Sequence, residues 1–233
     1  MAVNYQNKIV TNGLVLCLDA ADKKSYPGSG TVWADRSGNG NNGTLTNGPT
    51  FNAANGGSIL FDGGDDYISY GSLLNVGNTF TLNFWIKPTT KSRQTIFSNG
   101  YPYAANKGFF MACPGNSSTS MFLSLGNDQK IVMSSNGIIT NNVIQMITAV
   151  ANGGSSLMKL YLNGVEISSY SSQSDANITL QYDTGVFATG RRDALVGTDT
   201  LNSNVYNLSI YNRALTAQEI TQNFNATRGR FAI

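Results

Sequence analysis

Phe80-Thr81-Leu82-Asn83-Phe84-Trp85-Ile86-Lys87 is the stretch on which the fold turns. Phe80, Leu82, Phe84 and Ile86 recur at every second position, the period of a β-strand, so they share one face and point at a core. Pro88, which has no amide hydrogen to give to a ladder, stops the run. Residues 157–162 alternate likewise, with Met158, Leu160 and Leu162 on one side, and Asn163-Gly164 follows before Val165-Glu166-Ile167. That pair predicts a two-residue hairpin, because both central positions of a type I′ turn need positive φ.

Outward from this stretch, short apolar runs recur between Gly, Asn, Ser and Pro clusters. They predict strands at residues 14–18, 58–61, 67–70, 95–98, 109–113, 121–125, 143–150, 186–189 and 205–211. Ten or more short strands fit two packed antiparallel sheets. Helical signals come only near the end, where Leu215-Thr216-Ala217-Gln218-Glu219-Ile220 reads as a helix start. Thr216 is the N-cap, Glu219 closes the capping box, and Leu215 staples against Ile220, with the helix ending near Asn225.

Composition excludes several classes. Hydrophobic residues make up 41% of the 233-residue chain and charged residues 12%, against a usual charged share of about 25%. The net charge of +2 comes from scattered Lys and Arg, with no basic stripe to neutralise a row of phosphates, so no nucleic-acid partner is expected. No apolar stretch reaches the roughly 20 residues needed to cross a bilayer, so no membrane insertion is expected. Residues 1–10 lack a cationic start and an apolar run of secretory length, and cytoplasmic synthesis is the expectation. Cys17 and Cys113 are then expected as free buried thiols. Glycosylation sequons such as those at Asn116, Asn177, Asn207 and Asn225 carry no weight without export. Length and the absence of a linker predict one domain over residues 13–233, preceded by an arm over residues 1–12.

Six blocks occur in a fixed order: Gly13-Leu14-Val15-Leu16-Cys17-Leu18-Asp19-Ala20; Trp33-Ala34-Asp35-Arg36-Ser37-Gly38-Asn39-Gly40-Asn41-Asn42-Gly43-Thr44-Leu45; Phe61-Asp62-Gly63-Gly64-Asp65-Asp66-Tyr67; residues 80–88; Tyr161-Leu162-Asn163-Gly164-Val165; and Ile210-Tyr211-Asn212-Arg213-Ala214-Leu215. Over residues 13–225 they resemble the laminin-G-like domain of the concanavalin A-like lectin/glucanase superfamily. The resemblance implies an all-β, two-sheet antiparallel jelly-roll sandwich with a short C-terminal helix. The layout, with its short arm, further resembles single-domain virion structural proteins of tailed bacteriophages.

Chemistry is constrained by what is missing. There is no histidine, which removes every imidazole base, imidazole metal ligand and Ser–His or Cys–His nucleophile. The glucanases of the resembling superfamily need two carboxyl groups about 5–5.5 Å or roughly 6.5–9.5 Å apart. Glu166, after a hairpin, and Glu219, in a capping box, are the only glutamates and have no acidic neighbour at strand spacing. No catalytic residue is therefore assigned. Gly38-Asn39-Gly40-Asn41-Asn42-Gly43 matches the dinucleotide fingerprint in letters alone, since extended chain rather than a helix follows it.

Three clusters remain. Asp62, Asp65 and Asp66, with Asp35 brought near, form a candidate calcium site of hard oxygen ligands, competing with a turn in which Asp side chains cap backbone amides. Relatives that hold calcium at the sandwich edge carry acidic residues where this chain has Asn207 and Leu208, which weakens the transfer; no cofactor is required, and a structural calcium ion is left open. Tyr101 and Tyr103 flank Pro102 in a loop where exposed rings would stack on a sugar, making them the carbohydrate-binding candidates. Trp33 and Trp85 are expected in the core, and Arg191-Arg192-Asp193 as a solvated turn.

The sequence thus points to a non-catalytic virion structural protein, on head or tail. The expected partners are other virion proteins or copies of itself, anchored through the strand-like Lys8-Ile9-Val10, and cell-surface glycans. A stand-alone carbohydrate-binding lectin and a glycan-degrading enzyme are the alternatives.

Overall fold

The strand that contains Phe84 is buried on both faces and runs through the centre of the molecule. The computed structural model describes residues 8–70, 74, 76–89, 94–99, 108–113, 119–126, 128–154, 157–174, 176–182, 187–191 and 199–233. Its first strands are β1 (Leu14–Asp19), β2 (Val32–Trp33), β3 (Gly43–Thr46), β4 (Thr50–Asn52), β5 (Ser58–Asp62), β6 (Tyr67–Ser69), β7 (Thr79–Pro88), β8 (Gln94–Asn99) and β9 (Phe109–Cys113). There follow β10 (Phe122–Leu125), β11 (Lys130–Ser134), β12 (Gln145–Asn152), β13 (Lys159–Leu162), β14 (Val165–Glu166), β15 (Tyr170–Gln173), β16 (Phe187–Thr189) and β17 (Asn202–Tyr211). The helix α1 (Ala217–Thr227) and a 3-10 turn (Arg228–Phe231) close the chain.

These strands form two antiparallel sheets, the sandwich expected from the sequence. One runs β14-β13-β12-β7-β17-β5-β4, with β1 also on β17; the other runs β15-β11-β10-β9-β8-β16-β6-β3-β2. Along the edge of β17 away from β7, β5 pairs with residues 202–205 and β1 with residues 207–211; between those two stretches, at Tyr206, the register of β17 against β7 slips. Phe80, Leu82, Phe84 and Ile86 face inward as their alternation requires. Phe97 and Phe109 of the second sheet meet them, with ring centroids 5.9 Å apart for Phe84–Phe97 and 4.4 Å for Phe80–Phe109. Such pairs add to burial an attraction of about 0.5–1.5 kcal/mol each.

The outward face of β7 is covered by α1. Thr81 donates to the Arg213 carbonyl at 2.8 Å and accepts from the Leu215 amide at 3.0 Å, while Trp85 stacks on Phe224. The capping box is complete, and Leu215 and Ile220 are buried in the layer beneath the helix. Residues 8–12, assigned to an arm by the sequence, are tied to this same layer. The Val10 amide donates to Asn223 at 2.8 Å, the Val10 carbonyl accepts from the Tyr211 hydroxyl at 3.0 Å, and the Asn12 carbonyl accepts from Arg213 at 2.9 Å. Asn163 and Gly164 both have positive φ, 49° and 81°, as the type I′ turn demands. Strands β2, β3, β4, β11 and β15 were not among those expected, although extended chain was expected after Gly43.

Replacing Thr216 with alanine is expected to lower unfolding free energy by about 1 kcal/mol in denaturant titration, the usual worth of an N-cap. Glu219 is held down at about 2, against an ordinary 4.5, chiefly by its hydrogen bonds from Arg213 and then by those from Thr216. A depressed carboxyl stabilises the fold above its ordinary value and loses that contribution as pH falls towards about 2. Glu219→Gln is therefore expected to flatten the acid limb of stability against pH in that window, measured by thermal melts.

Candidate functional site

The turn between β5 and β6 carries the acidic cluster from one sheet to the other. Asp62 Oδ1 accepts from the Gly64 amide at 2.6 Å, and Asp66 Oδ2 accepts from the Asp62 amide at 3.0 Å. Asp66 is buried, 3% exposed. Burial pushes its carboxyl above the ordinary range, and the Asp62 and Asp65 charges push the same way against the hydrogen bond from the Asp62 amide. Asp35 lies elsewhere in purpose: Oδ1 accepts from the Cys17 and Ser37 amides, and Oδ2 from the Ser37 hydroxyl and the Asn41 amide. These bonds pin the Gly38–Gly43 loop against β1, and Gly43 leads into β3 rather than a helix. Among the described residues no three of His, Cys, Asp and Glu are grouped to hold a metal. The sequence-level grouping of Asp35 with Asp62, Asp65 and Asp66 therefore does not form, because local backbone amides occupy its acceptors.

The acidic turn delivers Tyr67 to the outer face of the second sheet. Directly opposed residues there run Thr44, Ser69, Ala188, Ser98, Phe110, Ser124 and Ile131 from strand to strand. The Arg191 guanidinium lies over the Tyr67 ring, 3.6 Å from its centroid, and the Arg191 carbonyl accepts from Ser98 Oγ at 2.8 Å. Arg191 Nε is buried with no hydrogen-bond partner. A buried donor left unpaired costs about 1–3 kcal/mol, more when charged. Arg191 is thus not a freely solvated turn residue, and the sequence offered no signal for its pairing with Tyr67. Tyr101, Tyr103, Arg192 and Asp193 lie outside the described residues.

Both glutamates are engaged in structure. Glu166 accepts from Lys159 at 3.0 Å and from the Tyr161 hydroxyl at 3.1 Å, and Glu219 is bound by Arg213 and Thr216. Cys17 and Cys113 are free and buried, and desolvation pushes both thiols up to about 12. Trp33 and Trp85 are fully buried, as expected. No helix among the described residues is long and apolar enough to cross a membrane.

A family model for the concanavalin A-like lectin/glucanases superfamily matches residues 62–221. The chain belongs to that superfamily. Comparison with curated proteins gives no match. Among solved structures, domain 4 of AbnA, a GH43 extracellular arabinanase from Geobacillus stearothermophilus in complex with arabinotriose, is 18% identical with a TM-score of 0.64, over 90% of this chain and 97% of that one. The receptor-binding domain of botulinum neurotoxin C/D mosaic serotype is 16% identical with a TM-score of 0.69, over 94% of this chain. The binding domain of botulinum neurotoxin DC in complex with SialylT is also 16% identical, with a TM-score of 0.66, over 93% of this chain. This superfamily member spans 52% of each toxin domain, and at such identities the likeness shows the fold.

A carboxyl whose folded value is raised contributes stability below its ordinary range and loses it as pH rises through the folded value. Asp66→Asn keeps an acceptor for the Asp62 amide and removes the charge. The variant is expected to melt higher than the parent at neutral pH and to lose the parent's decline in melting temperature as pH rises above the ordinary carboxylate range, followed by thermal melts across pH.

Proposed function

We propose that this protein is a non-catalytic binding module that holds glycans on the outer face of its second sheet, around Tyr67 and Arg191. The observation that carries the reading is the buried, unpartnered Arg191 Nε–H of a guanidinium that lies over the Tyr67 ring beside the acidic turn. A ligand hydroxyl or carboxylate oxygen would satisfy that donor, and a planar guanidinium suits paired oxygens. The Tyr101 and Tyr103 rings are proposed to add stacking surface. Nothing in this reading needs a metal or a general acid, and the commitment of Glu166 to Lys159 and Glu219 to Arg213 speaks against paired-carboxylate hydrolysis. The arabinotriose and SialylT complexes of two structural neighbours support a glycan as ligand.

The sequence layout supports a setting on the particle of a tailed phage. The anchoring chain would then be residues 1–7, since residues 8–12 are bonded within the sandwich layer. Deletion of residues 2–7 is expected to remove the protein from purified particles, and unchanged incorporation by mass spectrometry would remove that anchor.

On a glycan array the full chain is expected to bind a defined subset, and Arg191→Ala and Tyr67→Ala are each expected to weaken binding tenfold or more with an unchanged melting temperature. Incubation with the bound glycans should release no reducing sugar. Release that disappears on replacing one aspartate would establish the enzyme instead.

A further inference from the structure

The opposite side of the sandwich carries a half-open cavity. Asp19 of β1 is paired with Asn207 of β17, and Asn207 with Trp85 of β7, so a carboxylate, an amide and an indole stand side by side across three strands of the first sheet. Residues directly opposed in this way have Cβ atoms about 4.5–5.5 Å apart. The end of α1 and the turn Arg228–Phe231 roof this row, leaving a cavity of about 360 Å³ lined by these three residues and by Gly229, Arg230 and Phe231.

Its polar groups are unequally used. Arg230 is spent on the roof, donating to Asp19 Oδ1 at 2.7 Å, to the Asn55 carbonyl at 2.8 Å and to the Gly57 carbonyl. Asp19 Oδ1 also accepts from the Ala21 amide, whereas Oδ2 has no hydrogen bond among the described residues. Asn207 is 7% exposed, and it lines the cavity. Phe231 supplies the apolar wall, its ring 4.5 Å from that of Trp85. A free carboxylate oxygen, an amide that both donates and accepts, and an aromatic wall converge on one small space.

We infer that this cavity is a second ligand site, and that it takes a single neutral sugar ring or an equally small polyol. Asp19 Oδ2 and the Asn207 amide address neighbouring hydroxyls, and the ring's apolar face lies against Phe231. Arg230 cancels the charge of Asp19, so neither a cation nor an anion is drawn in by net charge. The volume suits one ring. The site is on the other sheet from Tyr67 and Arg191 and shares with that reading only the class of ligand.

The chain has two tryptophans, and only Trp85 borders the cavity, donating its indole N–H to Thr227 at 2.8 Å. In ¹H–¹⁵N spectra of the full chain, titration with methyl glucoside, methyl galactoside, L-arabinose, N-acetylneuraminic acid and myo-inositol is expected to move the Trp85 indole signal saturably for at least one neutral probe. The Trp33 signal serves as the internal reference and stays fixed. Asn207→Leu is expected to weaken that probe tenfold or more, and Phe231→Leu, on the terminal turn, tests the same site should the first variant fail to fold. Array binding should survive Asn207→Leu, and the Trp85 response should survive Arg191→Ala, so either site can fail alone. No saturable Trp85 shift with any neutral probe, or a shift that both variants leave intact, overturns the inference.

Discussion

A central strand buried on both faces has to satisfy two neighbours at once, and β7 does so with different chemistry on each side. Its inward face is apolar and meets the second sheet through Phe84 and Phe97. Its outward face carries Thr81, Asn83 and Trp85, whose polar atoms need partners once water is excluded. Thr81 finds them in the backbone of residues 213 and 215, Asn83 in Thr148 and Ser209, and Trp85 in Thr227. Leaving any of these unpaired would cost about 1–3 kcal/mol. The position of α1 is therefore dictated by β7, and the N-terminal residues 8–12 follow because Asn223 and Gln222 of that helix hold them.

What could be read from the sequence was chemistry that is local. Alternation along residues 80–86, the Asn163-Gly164 turn and the Thr216–Glu219 box each depend on residues a few positions apart, and each stands as expected. Strands β11 and β15 could not be read in that way. β15 is Tyr-Ser-Ser-Gln, polar and at a sheet edge, and β11 opens with Lys130, a fully buried lysine whose Nζ donates to the Gly154 carbonyl. Both are strands because a partner at a distant position pairs with them. The aspartates failed to group for a related reason. The nearest acceptors of hydrogen bonds serve the nearest amides, and Asp35 was consumed by Cys17, Ser37 and Asn41 before it could reach another carboxylate.

The residues of both proposed sites are products of sheet register rather than of motif. Tyr67 and Arg191 are brought together because β6 and β16 are neighbours, and Asp19, Asn207 and Trp85 because β1 and β7 flank β17. Sequence reasoning placed Trp85 in the core and noted Asn207 as a sequon and for not being acidic. The register of β17 against β7 slips at Tyr206, between the residues that pair with β5 and those that pair with β1, and Asn207 is the first residue after it. Irregularities of this kind re-aim side chains, and they leave no mark in period-two patterning.

The two sides of the sandwich also differ in charge, which bears on what each can hold. Arg191 keeps a guanidinium N–H without a partner, so an oxygen atom with negative character gains most there. Arg230 is bound by two carbonyls and a carboxylate, and its neighbour Asn207 is neutral. An acidic sugar therefore has reason to prefer the face of the second sheet, whereas a neutral one loses nothing in the cavity of the first. With 12% charged residues and no basic stripe to draw in polyanions, discrimination of this kind has to come from individual hydrogen bonds in partly dry sites, where each is worth more than in water.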